Sequence, residues 1–73
     1  MSDILVHIDQ NLDIQAQANL ENQLLQHNGI RKALVSPNAH HLMVVDFEND
    51  KTSSLQILHA VRNQGYQAEL IGL

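Results

Sequence analysis

The chain predicts a two-layer α+β fold, and three observations carry the prediction. Short runs such as V-x-I near the start and M-x-V-x-F in the middle alternate apolar and other residues, the period of half-buried strands. Two further stretches repeat their apolar residues every three or four positions, the period of an amphipathic helix. Glycines and a single proline mark the boundaries between these runs.

Taken in order, Ile4, Val6 and Ile8 alternate with Leu5 and His7, giving a first strand with Val6 and Ile8 toward a core. Asp9 to Leu12 has turn chemistry, and Asn11 is placed to cap a helix because its side chain accepts from free N–H groups. From Asp13 the spacing Ala16, Leu20, Leu24, His27 sets one residue per turn on one face, with His27 half-buried at its end. Asn28-Gly29 closes that helix, since glycine takes the left-handed conformation without strain. Ala33-Leu34-Val35 follows as a second strand, broken by Pro37-Asn38. Leu42 to Phe47 is the third strand, with Met43, Val45 and Phe47 inward, and the short link makes a hairpin of the two. Glu48 to Lys51 is a charged loop. Ser53 with Gln56 three residues on matches a capping box, and Leu55, Ile57, Leu58 and Val61 line the helix it opens. Gly65 stops that helix, and Tyr66 to Ile71 is the last strand.

The order is βαββαβ. With right-handed crossovers it closes as a four-stranded antiparallel sheet, strand order 4-1-3-2, with both helices on one face, the ferredoxin-like arrangement. Pro37 then lies on an edge strand, where a missing N–H donor costs least. Residues 1–73 read as one domain. The open face of the sheet is expected to carry Leu5, His7, Leu34, Leu42, Val44 and Leu70, an apolar set for a surface facing water. That face, or the edge strands, is the expected surface for self-association or a protein partner.

Composition narrows the function. A chain of 73 residues without cysteine has no disulfide and must be held by packing, and its 44% apolar content suits a folded domain. The Met-Ser-Asp start lacks the basic segment and long apolar run of a signal peptide or membrane span, so a cytoplasmic protein is expected. Eight acidic against four basic side chains argue against nucleic acid, and one Phe, one Tyr and no Trp give no stacking platform for bases. Catalysis finds little footing. There is no cysteine nucleophile and no G-x-S-x-G elbow, and Ser36, Ser53 and Ser54 sit at a strand end or helix cap. Asp46, Glu48 and Asp50 read as a solvated turn, and three glycines form no phosphate loop. A binding module is expected rather than an enzyme.

Five histidines raise the question of a metal. In this topology the first loop, the hairpin tip and the turn at Gly65 lie at one end of the sheet. His40 and His41 with Asp9 or Asp13 would offer imidazole and carboxylate donors suited to Zn(II), Ni(II) or Co(II). Against this, neighbouring residues on a strand point to opposite faces, and the edge strand lies far across from the first loop. His7, on the open face, and His27 and His59, on the helices, are not expected to be ligands.

The stretch Ile57 to Ala68, I-L-H-A-V-R-N-Q-G-Y-Q-A, resembles the end of a heavy-metal-associated (HMA) domain, the fold of copper chaperones and of the N-terminal modules of metal-pumping ATPases. Ile57, Ala60, Val61, Gly65, Tyr66 and Ala68 take the places of its L-x-x-A-I-x-x-x-G-Y-x-A pattern. Leu20-Glu21, Leu24, Gly29-Ile30 and Met43-x-Val45-x-Phe47 extend the similarity across almost the whole chain. The resemblance implies the ferredoxin-like fold and a part in heavy-metal handling. It places Asp13 and Ala16 where the paired cysteines of C-x-x-C stand, and Asn11 where a methionine is common. Copper(I) prefers thiolate and thioether donors, so the family's Cu(I) transfer is not expected here. The family's carriers and pump modules meet through charged surfaces around the metal loop. On that model Asp9 and Asp13 would make one end acidic, with Arg31, Lys32 and Lys51 toward the other. The segment V-H-I-D-Q-N also resembles the opening of a small-molecule-sensing ACT domain, but the Pro-Gly that often follows is missing, and the G-Y-x-A ending favours the HMA reading.

Overall fold

A computed structural model describes residues 2–71, in the order β1 (Ser2–Ile8), α1 (Ile14–Leu25), β2 (Ile30–Val35), β3 (Leu42–Phe47), α2 (Ser54–Asn63) and β4 (Ala68–Ile71). The strands form one antiparallel sheet in the order β2-β3-β1-β4, which is the expected 4-1-3-2 order read from the other edge. Val6 and Ile8 of β1, with Ala33, Val35, Met43, Val45, Phe47 and Ala68 of the neighbouring strands, are buried together with Leu20 and Leu24 of α1 and Ile57, Leu58, Ala60 and Val61 of α2. One apolar layer therefore joins the sheet to both helices, and Leu12 of the first loop plugs its end.

Several boundaries differ from the sequence reading, each for a local reason. Asp13, not Asn11, caps α1: its backbone is extended and its carboxylate accepts the Ala16 N–H at 2.8 Å. The helix therefore starts two residues later than an Asn11 cap would place it. Replacing Asp13 by Ala is expected to cost about 1 kcal/mol, measurable as a lower urea midpoint with an unchanged slope. His27 is exposed, because α1 ends at Leu25 with Gln26 as its cap and the chain has turned before reaching it. Ser53 caps α2 as expected, accepting from the Gln56 N–H, but the Gln56 amide oxygen accepts from the Thr52 hydroxyl at 3.0 Å instead of closing the box. Leu55 is 56% exposed, so the buried stripe of α2 is Ile57, Leu58, Ala60 and Val61.

β2 begins at Ile30, ahead of Ala33, because the register against β3 shifts between Ile30 and Lys32. The extra residue of this bulge, Arg31, lets both Ile30 and Ala33 face the core. β4 begins at Ala68, which pairs with Ile8 and is buried. Leu70 consequently pairs with buried Val6 on the helix side of the sheet, and Ile71, opposite Leu5, takes the place on the open face assigned to Leu70 by sequence. Arg31, Lys32 and Lys51 do gather at the end away from the first loop, but carboxylates among them offset their charge. Lys32 pairs in register with Asp46, Lys51 bridges Glu48 at 3.2 Å, and Arg31 shares a shallow depression with Glu48 and Asp50.

Candidate functional site

The end of the sheet that carries the first loop is tied together by main-chain bonds. The Ile8 N–H donates to the His41 carbonyl at 2.7 Å and brings the hairpin tip against the end of β1. The Asp9 N–H donates to the Gln67 carbonyl at 2.8 Å, and the Gln67 N–H donates to the Gln10 side chain at 3.1 Å. These bonds fasten the link between α2 and β4 to the same loop. The hairpin tip and the first loop are therefore neighbours, contrary to the distance expected from β2 being an edge strand. The reason is that the tip belongs as much to β3, which pairs directly with β1.

The four residues expected to bind metal divide between the two sides of this end. His40 lines a shallow depression on the helix side with Asn11, Leu12, Asp13, Ile14, Gln15 and Gln17. His41 turns the other way and lies against His7, the ring centroids 6.1 Å apart and the planes 23° from parallel. Asp9 goes with that second group, its Oδ1 3.3 Å from Nδ1 of His7. The Asp13 carboxylate is engaged in capping α1. Among the described residues, no three His, Asp or Glu side chains converge where they would hold an ion. The sequence reading places His7 on the open face, as the structure does, and sets it aside as a ligand. The register adds its neighbour, since His7 pairs with Leu42 and thus stands beside His41.

The open face has a regular make-up. One row crosses all four strands: Leu34 pairs with Val44, Val44 with Leu5, and Leu5 with Ile71. Leu34 is 48% exposed, Val44 38% and Ile71 37%. Toward one end lies a charged row, Lys32, Asp46 and Asp3 in register. Toward the other lie Leu42, His7 and Glu69, with His41 beside them. An apolar band thus separates a mainly acidic row from an imidazole row.

On the helix side, His27 and His59 both line a groove between the α1–β2 link and α2, with Lys51, Gln56 and Asn63. Arg62 donates through Nε and Nη2 to the Ala68 carbonyl at 3.1 and 2.9 Å, which fixes the entry to β4 and uses the guanidinium structurally. Glu21 of α1 has a comparable role, accepting the Val35 N–H at 2.8 Å where the edge strand ends.

Solved structures with the same architecture include a copper-binding domain and a copper chaperone. A copper-binding domain from a P-type ATPase superposes with a TM-score of 0.88 at 22% identity, over 99% of this chain and 96% of its own. Oxidized MerP from Ralstonia metallidurans gives 0.84 at 17% identity, covering 97% of each chain. The copper chaperone of Enterococcus hirae, in its apo form, gives 0.79 at 23% identity, over 93% of this chain and 98% of its own. This is the fold of the heavy-metal-associated domains. No family model and no curated protein matches the sequence. Identities this low establish the HMA fold and leave the chemistry to the residues present. Those residues do not suit thiolate-held copper(I). The chain has no cysteine, Ala16 offers a methyl group packed against the core, and the carboxylate of Asp13 already serves the helix.

Proposed function

We propose that this chain is a divergent HMA-type binding domain that lacks the C-x-x-C pair and works by docking through its open sheet face. The observation that carries the reading is the apolar row Leu34–Val44–Leu5–Ile71, which runs unbroken from one sheet edge to the other. A sheet with one solvated face ordinarily alternates apolar inward and polar outward, so an outward apolar row marks a contact surface. The flanking rows suggest what covers it. A two-fold axis parallel to the sheet, running along the apolar row between the two faces, lays the face of a second copy on the first and exchanges the flanking rows. Asp3 and Asp46 of one copy then oppose His7 and His41 of the other. Such a contact is isologous and self-complementary.

Its size sets its strength. Three rows across four strands cover about 400 Å² per copy, from a strand spacing of about 4.8 Å and a rise of about 3.4 Å per residue. Stable interfaces bury about 800 Å² per partner, so the association is transient and concentration-dependent. A domain of this kind fits the setting of its structural neighbours, heavy-metal handling, as a contact partner and not as a thiol carrier. It acts by binding and not by catalysis. Placement in the cytoplasm belongs to the same reading, in keeping with a cysteine-free chain in a reducing compartment. Among the described residues no helix is long and apolar enough to cross a membrane.

Sedimentation velocity over a hundredfold concentration range tests the docking face. The wild type is expected to move toward dimer as concentration rises, and the double variant Leu34→Lys/Val44→Lys to stay monomeric with an unchanged fold. Both side chains point away from the core, so the lysines need not disturb packing. Wild-type association that persists in the double variant would remove the open face from consideration.

A further inference from the structure

We infer that His7 and His41 form a two-imidazole site for a borderline divalent metal ion, zinc(II), nickel(II) or copper(II), on the open-face side of the first-loop end. The inference rests on the way each ring is held and is independent of the docking reading.

His41 Nδ1 lies 3.0 Å from the Ile8 carbonyl oxygen. A carbonyl only accepts, so Nδ1 carries the hydrogen and the lone pair of the neutral ring is on Nε2. His7 Nδ1 lies 3.3 Å from Oδ1 of Asp9, and an ionised carboxylate likewise only accepts. The hydrogen bond fixes His41 as the tautomer with a free Nε2, and the carboxylate beside Nδ1 of His7 favours the same form there. Metal-binding histidines show this arrangement, the distal N–H given to a carboxylate or a main-chain carbonyl and the other nitrogen left for the ion. Here one ring has each type of partner.

The ring separation agrees. An ion about 2.1 Å from Nε2 sits about 3.2 Å from the ring centre, so two rings sharing one ion have centres about 5.2 Å apart at a tetrahedral angle and at most about 6.4 Å apart. The observed 6.1 Å, with planes 23° from parallel, lies inside that span, and the rings need close by only about 1 Å to reach the tetrahedral separation. His41 is exposed and His7 partly so, and small side-chain turns that keep the Nδ1 contacts bring the Nε2 atoms toward a common point. No third His, Asp or Glu among the described residues completes a cluster, so the remaining positions on the ion belong to water. Glu69, paired with His7 across β1 and β4, brings a carboxylate to the same side of the sheet. Two imidazoles with oxygen donors suit borderline divalent ions and not copper(I). The site is on the other side of the sheet end from Asp13, Ala16 and His40, and Asp9 enters it as the partner that orients His7, not as a ligand.

The test is a zinc(II) titration of the full chain, followed by imidazole nitrogen NMR and by calorimetry. The Nε2 signals of His7 and His41 are expected to shift together and saturate at one equivalent. His7→Gln and His41→Gln should each weaken binding at least tenfold, and His40→Gln should leave it within twofold. Asp9→Asn keeps both imidazoles and should cost about tenfold through loss of orientation alone. Amide spectra of the apo variants establish that each is folded. Wild-type affinity in His7→Gln, separate saturation of the two rings, shifts centred on His40 and Asp13, or no saturable change would each overturn the site.

Discussion

Replacing Leu20 by alanine is expected to remove about 3 kcal/mol, the middle of the range for deleting a fully buried leucine side chain. Leu20 is 1% exposed and sits at the centre of the face that α1 turns toward the sheet. The loss combines the transfer of three carbons back to water with the cavity left between α1 and the strands. For a domain of this length the total stability is of the order of 4–11 kcal/mol, so one substitution takes a large part of it. With a urea slope of about 1 kcal/mol per molar, the midpoint should fall by about 3 M. Ile14→Ala, on the same helix but at a residue 84% exposed, should move it by less than about 0.5 M. Equal effects at Leu20 and Ile14 would mean that α1 does not pack on the sheet as described.

The contrast between those two residues shows where sequence reading succeeds. Leu20 and Leu24 recur with the helical period, and Met43, Val45 and Phe47 with the strand period. Each period has one buried face, so the fold and most of its core were legible. Reading failed where the period breaks. The bulge at Arg31 puts Ile30 and Ala33 three residues apart on one strand, and the first half of β2 then resembles neither a strand nor a helix. β4 is four residues long, with only Ala68 fully buried, and a small inward residue is a weak signal beside Leu70 and Ile71. Its parity was therefore misread, and with it the fourth member of the apolar row.

The candidate site was legible only in part, for a different reason. His41 and Asp9 could be named from the topology, which gathers the first loop and the hairpin tip at one end. Their relation could not, because it depends on the register between β1 and β3 and on the side to which each hairpin residue turns. His7 has nothing in its local sequence to distinguish it from a solvated strand histidine. Its contact with His41 appears only when the register sets Leu42 opposite it, and its 3.3 Å approach to Asp9 only in the folded turn. His40, adjacent in sequence to His41, ends on the other side of the sheet with Asp13.

Two glycines give the second large effect and separate backbone strain from packing. Gly29 and Gly65 both follow helices, both stand in the pattern shared with the HMA domains, and both have positive φ, 96° and 95°. Sequence gives no means of ranking them. A Cβ at Gly65 meets nothing within 4 Å, so Gly65→Ala should cost only the conformational penalty of about 1–2 kcal/mol. A Cβ at Gly29 would lie 2.8 Å from Cβ of Lys51 and 3.1 Å from Cγ2 of Thr52. The first is the root of a side chain and cannot swing aside. The Gly29 carbonyl also accepts the Glu48 N–H at 2.8 Å, so the clash opposes a main-chain bond that holds the far end of β3 to the α1–β2 link. Gly29→Ala should therefore cost about 3 kcal/mol or more, with the excess over Gly65→Ala measuring the close approach of two backbone segments. Matched urea titrations decide it. Equal losses at the two sites would show that the loop after β3 yields to admit a methyl group, and that Gly29 is required for its backbone angle alone.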